Sequence, residues 1–358
     1  MVNGDVAGRT GAFCARFGVR VPVLMAPMAG ACPPRLAAAV ANAGGMGACG
    51  ALPLDADGIG AWAREVRGRS NGAFQMNLWV PDPAPVRDTA HEAKVRAFLG
   101  AWGPEVRAEA GDAGPLDFAA QCEAVLAAGP AAVSSIMGVF PAGFVARLKT
   151  QGIAWFATVT TVAEAQAAEA AGADVVVAQG MEAGGHRGAF DAAAAERGMV
   201  GLFALVPAVV DAVGVPVVAT GGIGDGRGVA AALLLGASAV QVGTGFLRCP
   251  EAEVGWADGL AGAAPEDTVV TRAFSGRAGR ALATGFVRAA AAGPRPAPYP
   301  VQRGLTAAMR GEAAAAGDLA RMQAWAGQSA GLARAEGAGA VVERLWGEAR
   351  GLLGIGEP

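Results

Sequence analysis

The sequence predicts an α/β protein of the TIM (β/α)8 barrel class, with a mostly helical cap inserted after the eighth strand. Eight short apolar runs alternate with alanine-rich helical segments, a pattern typical of parallel strands joined by crossover helices. No glycine-rich dinucleotide fingerprint follows the first run, which argues against an open doubly wound sheet. The 358 residues exceed what eight strand–helix units of about 250 residues need, so a further segment is expected.

The predicted strands are short and apolar, and turn signals bound them. They span residues 21–26, 45–49, 73–78, 131–135, 153–158, 174–178, 215–220 and 238–242. The clearest predicted helices span residues 34–43, 56–67, 162–171 and 227–235. Several of these helices begin at a proline or a capping threonine and end at glycine, as helices in parallel α/β proteins commonly do.

The chain length that the barrel does not need lies mainly after the eighth strand. We predict a cofactor-binding barrel over residues 1–247, a helical substrate-binding cap over 248–323 and a segment over 324–358 that returns to the barrel. The proline-rich stretch 293–300 interrupts the helical segments of the cap. A helix over residues 330–353 is expected to complete the ring of helices around the barrel.

Composition excludes several classes of protein. The net charge is −3 and the chain contains two lysines, so no basic stripe is available for nucleic acid. Five scattered cysteines without a C-x-x-C pair argue against zinc, an iron–sulfur cluster or a disulfide framework. Residues 1–10 lack the apolar core of a secretory signal, so a cytoplasmic location is expected. The uncharged stretch 228–247 is long enough to span a bilayer, but its period changes midway, which predicts a helix followed by a strand instead.

The chain contains two histidines, so few groups are available for proton transfer near neutral pH. His186 lies in the glycine-rich segment 178–188 after the sixth strand, at the face where barrel enzymes carry their active sites. We predict that it is the general base; the alternative is a surface histidine. His91 lies in a charged stretch and is predicted to face solvent. Glu182 is expected either to orient its neighbours or to be a satisfied structural carboxylate.

Two glycine-rich turns follow the seventh and eighth strands, over residues 220–226 and 243–246. Glycine allows close approach of the backbone to a ligand, and amides at a helix start attract anions. The turns therefore predict the phosphate site that TIM barrels often carry at these two strands, although glycines also occur in turns without a ligand. Residues 26–28 and Asn77, at the ends of the first and third strands, could contact a heterocycle. Together these features suggest FMN.

Seven segments together carry a family resemblance: residues 22–30 (PVLMAPMAG), 179–188 (QGMEAGGHRG), 220–223 (TGGI), 241–244 (QVGT), 275–277 (SGR), 299–303 (YPVQR) and 325–328 (WAGQ). These segments resemble the nitronate monooxygenases, formerly called 2-nitropropane dioxygenases. The EAGGH element is shared with flavin-dependent enoyl-ACP reductases. The segments at 299–303 and 325–328 favour the nitronate enzymes.

The resemblance implies FMN-dependent oxidation of alkyl nitronates, such as propionate 3-nitronate, to carbonyl compounds and nitrite with O2. It implies a detoxifying enzyme with His186 as catalytic base and Tyr299 on the substrate side. The residues implied at the cofactor are Ala26, Met28, Asn77, Gln179, Gly184, Gly185, Gly221, Gly222, Gln241, Val242, Gly243, Thr244 and Gln328, the last also facing substrate. Tyr299 is the only tyrosine, a departure from similar enzymes with further tyrosines around the substrate.

Two alternatives remain open at this point. The first is a flavin-dependent NAD(P)H reductase of quinones or enoyl-ACP on the same fold. The second is a flavin- or phosphate-binding protein without catalytic activity. We expect a monomer or small homo-oligomer that acts on small molecules, with no nucleic-acid or membrane partner and no metal.

Overall fold

The computed structural model describes residues 2–356, and its larger sheet is a closed parallel barrel. The barrel strands are β1 (Val23–Met25), β2 (Gly47–Gly50), β3 (Phe74–Trp79), β4 (Ala132–Ile136), β5 (Ala154–Val159), β6 (Val175–Gln179), β8 (Val217–Thr220) and β9 (Ala239–Val242). The two-residue strand β7 (Gly185–His186) belongs to the smaller sheet. They pair in the order β1-β9-β8-β6-β5-β4-β3-β2, and a parallel bridge from Leu24 to Met46 joins the two ends. The predicted TIM barrel is confirmed, with each strand close to its predicted position.

Helices surround the barrel and extend into the cap. They are α1 (Val2–Phe17), α2 (Pro34–Asn42), α3 (Ala56–Arg69), α4 (Thr89–Leu99), α5 (Phe118–Ala128), α6 (Ala142–Thr150), α7 (Val162–Ala170), α8 (Leu202–Val210), α9 (Gly226–Leu234), α10 (Gly285–Ala291), α11 (Val301–Leu305), α12 (Ala307–Ala316) and α13 (Ala338–Leu353). Side-chain caps begin several of them: Thr161 accepts a hydrogen bond from Glu164 N, and Asp225 accepts from Arg227 N and Gly228 N.

Helix α1, which the sequence analysis did not predict, closes one end of the barrel. Phe13 and Phe17 are buried in one cluster with strand residues that include Leu24, Phe156 and Val218. The rings of Phe17 and Phe156 lie 5.0 Å apart in an edge-on arrangement. The amino-terminal end of the barrel is thus filled with aromatic side chains, which leaves the carboxyl ends of the strands for a functional site.

The segment after β9 contains a β-hairpin as well as helices. Its strands are β10 (Thr268–Thr271) and β11 (Gly279–Leu282), and β11 also pairs with the two-residue strand β7 (Gly185–His186). A second hydrophobic cluster unites this segment with α4, because Val95 and Leu99 pack with Phe274, Phe286 and Leu305. Part of the insertion between β3 and β4 therefore packs with the segment we assigned to the cap. The domain boundaries themselves stay a prediction.

The C-terminal helix packs against the helices that surround the barrel. Helix α13 packs against α9 and α2, with Val341, Val342 and Leu345 in the main core. The Glu348 carboxylate accepts a hydrogen bond from Gly226 N at 2.9 Å, at the start of α9. The helix begins at Ala338 rather than near residue 330, because residues 330–332 form a short 3-10 turn and Gly337 caps the helix.

The long uncharged stretch 228–247 folds as the end of α9, a turn and β9, as its change of period predicted. Across residues 2–356, none of the helices combines the length and apolar character needed to cross a bilayer. The five cysteines all carry free thiols.

Candidate active site

The loop between β6 and β7 holds His186 at the carboxyl end of the barrel. Gln179, the last residue of β6, donates from Nε2 to the His186 carbonyl at 3.0 Å and accepts from Gly188 N at 2.8 Å. The buried Arg187 side chain donates to the carbonyls of Gln179 at 2.6 Å and Gly198 at 3.2 Å. Both polar ends of the Gln179 side chain are thus engaged by the loop, so its geometry favours positioning of His186 over direct contact with a cofactor.

The cap fixes the same loop from the other side. His186 pairs with Gly279 and Gly185 pairs with Arg280 in an antiparallel ladder. An added Cβ at Gly279 would lie 3.0 Å from the Trp325 ring, so the hairpin packs closely on this tryptophan. His186 is therefore located where barrel and cap meet.

The His186 ring lies between two tryptophans. Its centroid is 4.8 Å from Trp79 and 4.8 Å from Trp325, with tilted or edge-on planes. The Nε2 atom is 2.7 Å from the Ser275 Oγ atom. Burial, reinforced by the positive charges of Arg277, Arg303 and Arg310, lowers the pKa of His186 from 6.5 to about 3. The imidazole is therefore neutral over the physiological pH range.

Tyr299 belongs to this aromatic group. Its ring stacks on Trp79 with centroids 5.1 Å apart and planes within 7°. Both residues are buried, and burial raises the pKa of the tyrosine. They border a cavity of about 230 Å³, which Asp82 and several prolines of the β3–α4 connection also line. Tyr299, the predicted substrate residue, thus stacks on Trp79, and Trp79 in turn contacts His186, the predicted base.

A buried ion pair joins the β3–α4 connection to the cap. Arg277 donates to Asp82 with two hydrogen bonds, Nε to Oδ2 at 2.7 Å and Nη2 to Oδ1 at 2.6 Å. A third bond runs from Arg277 to the Ala189 carbonyl at 3.1 Å. The arginine side chain is 2% exposed. Asp82, which the sequence analysis missed, holds the segment next to Trp79 against the segment that carries Ser275.

Amide side chains occupy the barrel interior. Gln75 donates to the Met25 carbonyl at 3.2 Å and to Gln241 Oε1 at 2.9 Å. Its own Oε1 is buried and accepts no hydrogen bond from the described residues. Asn77, two positions further along β3, donates to the Ser134 carbonyl at 3.2 Å and hydroxyl at 3.1 Å. Gln75 was not predicted, although its spacing of two residues from Asn77 places both side chains on the same face of β3.

The predicted phosphate turns meet the His186 loop. Gly221 and Gly222 have φ values of +112° and +69°, which residues with a Cβ rarely adopt. Added Cβ atoms there would lie 3.0 Å from Ala183 N and 3.1 Å from Glu182 Cβ. The Glu182 carboxylate itself accepts from Leu202 N at 2.9 Å, at the start of α8. Glu182 is therefore a satisfied carboxylate that also holds the start of α8 in place.

The C-terminal segment packs on these glycines. Together residues 184, 221, 222, 244, 327 and 328 form a group that we call the glycine cradle. An added Cβ at Gly184 would lie 2.5 Å from Gly327 N, and Gly327 N donates to Thr244 Oγ1 at 2.9 Å. Gln328 N donates to the Glu182 carbonyl at 2.9 Å. Residues that the sequence analysis assigned to a cofactor are thus brought together from four separate segments.

The end of β1 lies beside the end of β9. Ala26 N donates to the Val242 carbonyl at 2.8 Å. An added Cβ at Gly243 would lie 3.3 Å from Ala26 Cβ and 3.5 Å from Met28 Sδ. The amides of Gly222, Gly243 and Thr244 have no acceptor within residues 2–356. Free amides at glycine turns and a helix start are suited to an anion such as a phosphate.

His91 lies away from this group. Its half-buried ring places Nε2 2.7 Å from the Arg295 carbonyl. It therefore connects α4 to the proline-rich stretch at a partly exposed position.

Comparison with known proteins gives one consistent result. A family model described as nitronate monooxygenase matches residues 12–348. A nitronate monooxygenase from Pseudomonas aeruginosa is 41% identical over 353 residues, which cover 96% of this chain and 100% of that protein. A nitronate monooxygenase from Paraburkholderia phytofirmans is 40% identical over 339 residues, which cover 92% of each chain.

Solved structures agree with the sequence relatives. The nitroalkane oxidase from Streptomyces ansochromogenes has a TM-score of 0.86 and 38% identity, covering 96% of this chain and 99% of that chain. FabK from Thermotoga maritima has a TM-score of 0.72 and 29% identity, covering 95% of this chain and 96% of that chain. The similarity thus includes the cap as well as the barrel.

Proposed function

The chain belongs to the nitronate monooxygenase family, and from this premise we propose that it oxidises alkyl nitronates to carbonyl compounds and nitrite, using bound FMN and O2. One observation carries the proposal. His186, held neutral between Trp79 and Trp325, lies at the carboxyl end of the barrel beside the glycine cradle. This arrangement combines an anion-binding backbone with a group that can hold or move a proton.

The chemistry of the free groups fits FMN. The unpaired amides of Gly222, Gly243 and Thr244 would bind its phosphate. The free Gln75 Oε1, with Asn77 on the same strand, would accept hydrogen bonds from N–H groups at the edge of the flavin ring. FMN, when bound, supplies the redox chemistry that side chains lack.

The low pKa of His186 favours a nitronate over a neutral nitroalkane. A base works best when its pKa lies near the operating pH, and a histidine with a pKa of about 3 is a weak base. A nitronate has already lost its α-proton and needs no base. Its negative charge next to the ring would raise the histidine pKa towards its ordinary value, which allows His186 to donate a hydrogen bond to the bound anion.

Buried aromatic rings border the partly exposed His186 and limit its contact with water. Trp79 and Tyr299 are each 8% exposed, so a substrate beside the histidine exchanges solvent for ring faces. Weaker competition from water strengthens the hydrogen bonds that orient a small anion.

The test is aerobic turnover by the purified, FMN-loaded enzyme. We expect nitrite release from propyl-1-nitronate and propionate 3-nitronate, at rates well above those with the parent nitroalkanes. A protein that retains no FMN, or one that retains FMN and releases no nitrite from either nitronate, would contradict the proposal.

Anaerobic mixing separates the proposal from the reductase alternative. The bound flavin should lose its visible absorbance when a nitronate is added, and retain it for much longer with NADH or NADPH. Rapid bleaching by either nicotinamide, with none by nitronate, would identify a reductase instead.

A further inference from the structure

The cavity of about 230 Å³ beside the aromatic group has no role in the chemistry described so far. Trp79 and Tyr299, each 8% exposed, form part of its wall. Most of its other lining residues are apolar: Leu52, Pro81, Pro83, Ala84, Pro85, Pro115, Leu116, Phe118 and Pro300. The space is large enough for a ring, because an apolar cavity of about 150 Å³ is sufficient to hold benzene.

The cavity offers no free charge to a ligand. Its lining, as residues 2–356 form it, includes neither arginine, lysine nor histidine, and the carboxylate of Asp82 accepts from Arg277 through both oxygens. Gln121, another lining residue, donates from Nε2 to the carbonyls of Ala51 and Leu54 at 3.0 and 2.7 Å. A charged group in the cavity would lose hydration without gaining an ion pair, so an uncharged group is favoured.

The walls of the cavity favour a flat ring over a flexible chain. The rings of Trp79 and Tyr299 are stacked with planes within 7°, and aromatic groups gain more from such neighbours than their buried area alone provides. The prolines have a fixed φ and no side-chain rotamers to lose, so this wall is largely formed before a ligand binds. Trp79 Nε1 is buried and donates to none of the described residues. The face of an aromatic ring can accept a weak hydrogen bond from such an N–H group, whereas an alkyl chain cannot.

Trp79 connects this cavity to the predicted base. Its indole ring lines the cavity and also lies 4.8 Å from the His186 ring, so a ligand that contacts His186 and a ligand in the cavity are separated by one ring. We propose that the cavity binds an uncharged aromatic ring of the substrate, so that the enzyme prefers arylalkyl nitronates to nitronates without a ring. This inference rests on the proposed function for its reaction. The cavity then sets specificity, since it holds the part of the substrate that does not react.

The first test compares nitronates that differ only at the end remote from the reacting carbon. Phenylethyl nitronate carries a phenyl ring, and ethyl nitronate has a hydrogen atom in its place. Burial of the ring should raise kcat/KM by about 30-fold, mainly through a lower KM. A carboxylate at the para position of the ring should remove most of this gain, because the cavity has no free cation to pair with it. Equal kcat/KM values for phenylethyl and ethyl nitronate, or a gain that survives the added carboxylate, would overturn the assignment.

Leu116 allows a substitution in the cavity wall that spares the core, because it lines the cavity and is 42% exposed. Leu116→Asp should lower the ratio of kcat/KM for phenylethyl nitronate to that for ethyl nitronate by about 10-fold, since the bound ring would remove water from a carboxylate. Leu116→Met, which keeps the wall apolar and its volume similar, should retain the wild-type ratio. The matched control is Leu234→Asp, at a leucine of α9 that is 46% exposed. A wild-type ratio in Leu116→Asp, or the same fall in Leu234→Asp, would contradict the assignment.

A binding measurement separates this inference from the proposed function. Phenylethyl alcohol carries the same ring, has no nitronate group and does not react. Calorimetry with the FMN-loaded enzyme should show about a 5-fold weaker Kd in Leu116→Asp than in the wild type. If neither nitronate is oxidised but the affinity for phenylethyl alcohol depends on Leu116, the ring site stands and the function fails. If both nitronates are oxidised with equal kcat/KM and this affinity does not depend on Leu116, the function stands and the ring site fails.

Discussion

The Nε2 atom of His186 lies 2.7 Å from the Oγ atom of Ser275, a residue 89 positions away in the chain. Ser275 Oγ also lies 3.3 Å from both the amide and the carbonyl of Arg277. If the hydroxyl donates to that carbonyl, it can accept the proton of His186 Nε2, and every group is satisfied. The Nδ1 atom then keeps a free lone pair, and it has no partner within residues 2–356. In this arrangement Ser275 positions the imidazole ring and selects the histidine tautomer.

Replacement of this serine should affect proton transfer more than nitronate oxidation. In Ser275→Ala the Nε2 proton loses its acceptor, so the tautomer and the ring orientation are no longer fixed. We expect kcat/KM for nitroethane to fall by about 10-fold, a fraction of the about 100- to 10,000-fold that a positioned base contributes. The value for ethyl nitronate should fall by less than about 3-fold. Steady-state nitrite release measures both.

The hydroxyl itself can be restored as a control. Ser275→Thr keeps Oγ and should recover most of the nitroethane activity. In the His186→Asn background, Ser275→Ala should have no further effect on nitroethane, since its role acts through the histidine. Additive losses in the double variant would show that Ser275 acts independently.

His186 itself gives a larger difference between the same two substrates. His186→Asn removes the base but retains a polar side chain of similar reach. Oxidation of neutral nitroethane should fall about 100-fold, the low end for a positioned base because the pKa of His186 is low, and oxidation of ethyl nitronate much less, because the nitronate needs no deprotonation. Equal small losses on both substrates would remove His186 from the base role.

The protonation of His186 should also appear in folding stability. Its pKa is about 3 in the folded protein and 6.5 when unperturbed, so between these values the unfolded chain binds more protons. The stabilisation by neutral His186 is complete above pH 6.5 and is lost as the pH falls towards 3. Between pH 7 and pH 5 the wild type should lose about 2 kcal/mol through this group.

Urea unfolding at the two pH values measures this loss. In His186→Asn the difference in unfolding free energy between pH 7 and pH 5 should shrink by about the same 2 kcal/mol, because the titrating group is gone. Other groups contribute equally to both proteins and cancel in the comparison. An unchanged difference would mean that the histidine is not held neutral.

The barrel was predictable because its signals are local. Each strand is a short apolar run, and the helix caps at Thr161 and Asp225 need only neighbouring residues. The glycine turns were found for the same reason, since a positive φ at Gly221 and Gly222 requires glycine irrespective of distant contacts.

The environment of His186 was not predictable in the same way. Trp79, Ser275 and Trp325 come from three distant segments that meet only when the cap packs on the barrel. The family resemblance assigned Gln179 to the cofactor, yet its side chain is used by the loop that follows. A strand end indicates which residues are near the site but not which partner each side chain takes.

The close packing at Gly184 leads to a prediction about FMN retention. A Cβ there would lie 2.5 Å from Gly327 N and 2.6 Å from the Ala326 carbonyl carbon, both backbone atoms that cannot move alone. Gly184→Ala should therefore displace residues 326–328, break the bond to Thr244 Oγ1 and raise the Kd for FMN at least about 10-fold, which corresponds to a loss of about 1.4 kcal/mol in binding and lowers the FMN content of the purified protein.

Gly68→Ala is the matched control for this substitution. Gly68 lies in α3 and an added Cβ meets no atom within 4 Å. It should retain full FMN and gain about 0.5–1 kcal/mol of stability from the better helix former. Full FMN content in Gly184→Ala, measured by absorbance of the purified protein, would show that this contact does not shape the cofactor site.

The pair between Asp82 and Arg277 should be the most sensitive ion pair joining the cap to the barrel. The arginine side chain is 2% exposed and that of Asp82 16% exposed, so loss of the aspartate leaves a buried charge without a carboxylate. Asp82→Ala should lower the free energy of unfolding by about 3–5 kcal/mol. The pair formed by Glu123 and Arg147 is also two-pronged, but its side chains are 60% and 50% exposed, and Glu123→Ala should leave the free energy of unfolding nearly unchanged because solvent screens the pair.

A double variant distinguishes loss of the pair from loss of packing. Asp82→Leu combined with Arg277→Met removes both charges together and should be more stable than Asp82→Ala in urea unfolding, because no buried charge remains. Oxidation of nitronate should nevertheless stay impaired, since Ser275 and Trp79 are then no longer joined by a fixed ion pair. If the double variant were as unstable as Asp82→Ala, the cost would come from side-chain volume, and the ion pair would not be what holds the cap against the β3–α4 connection.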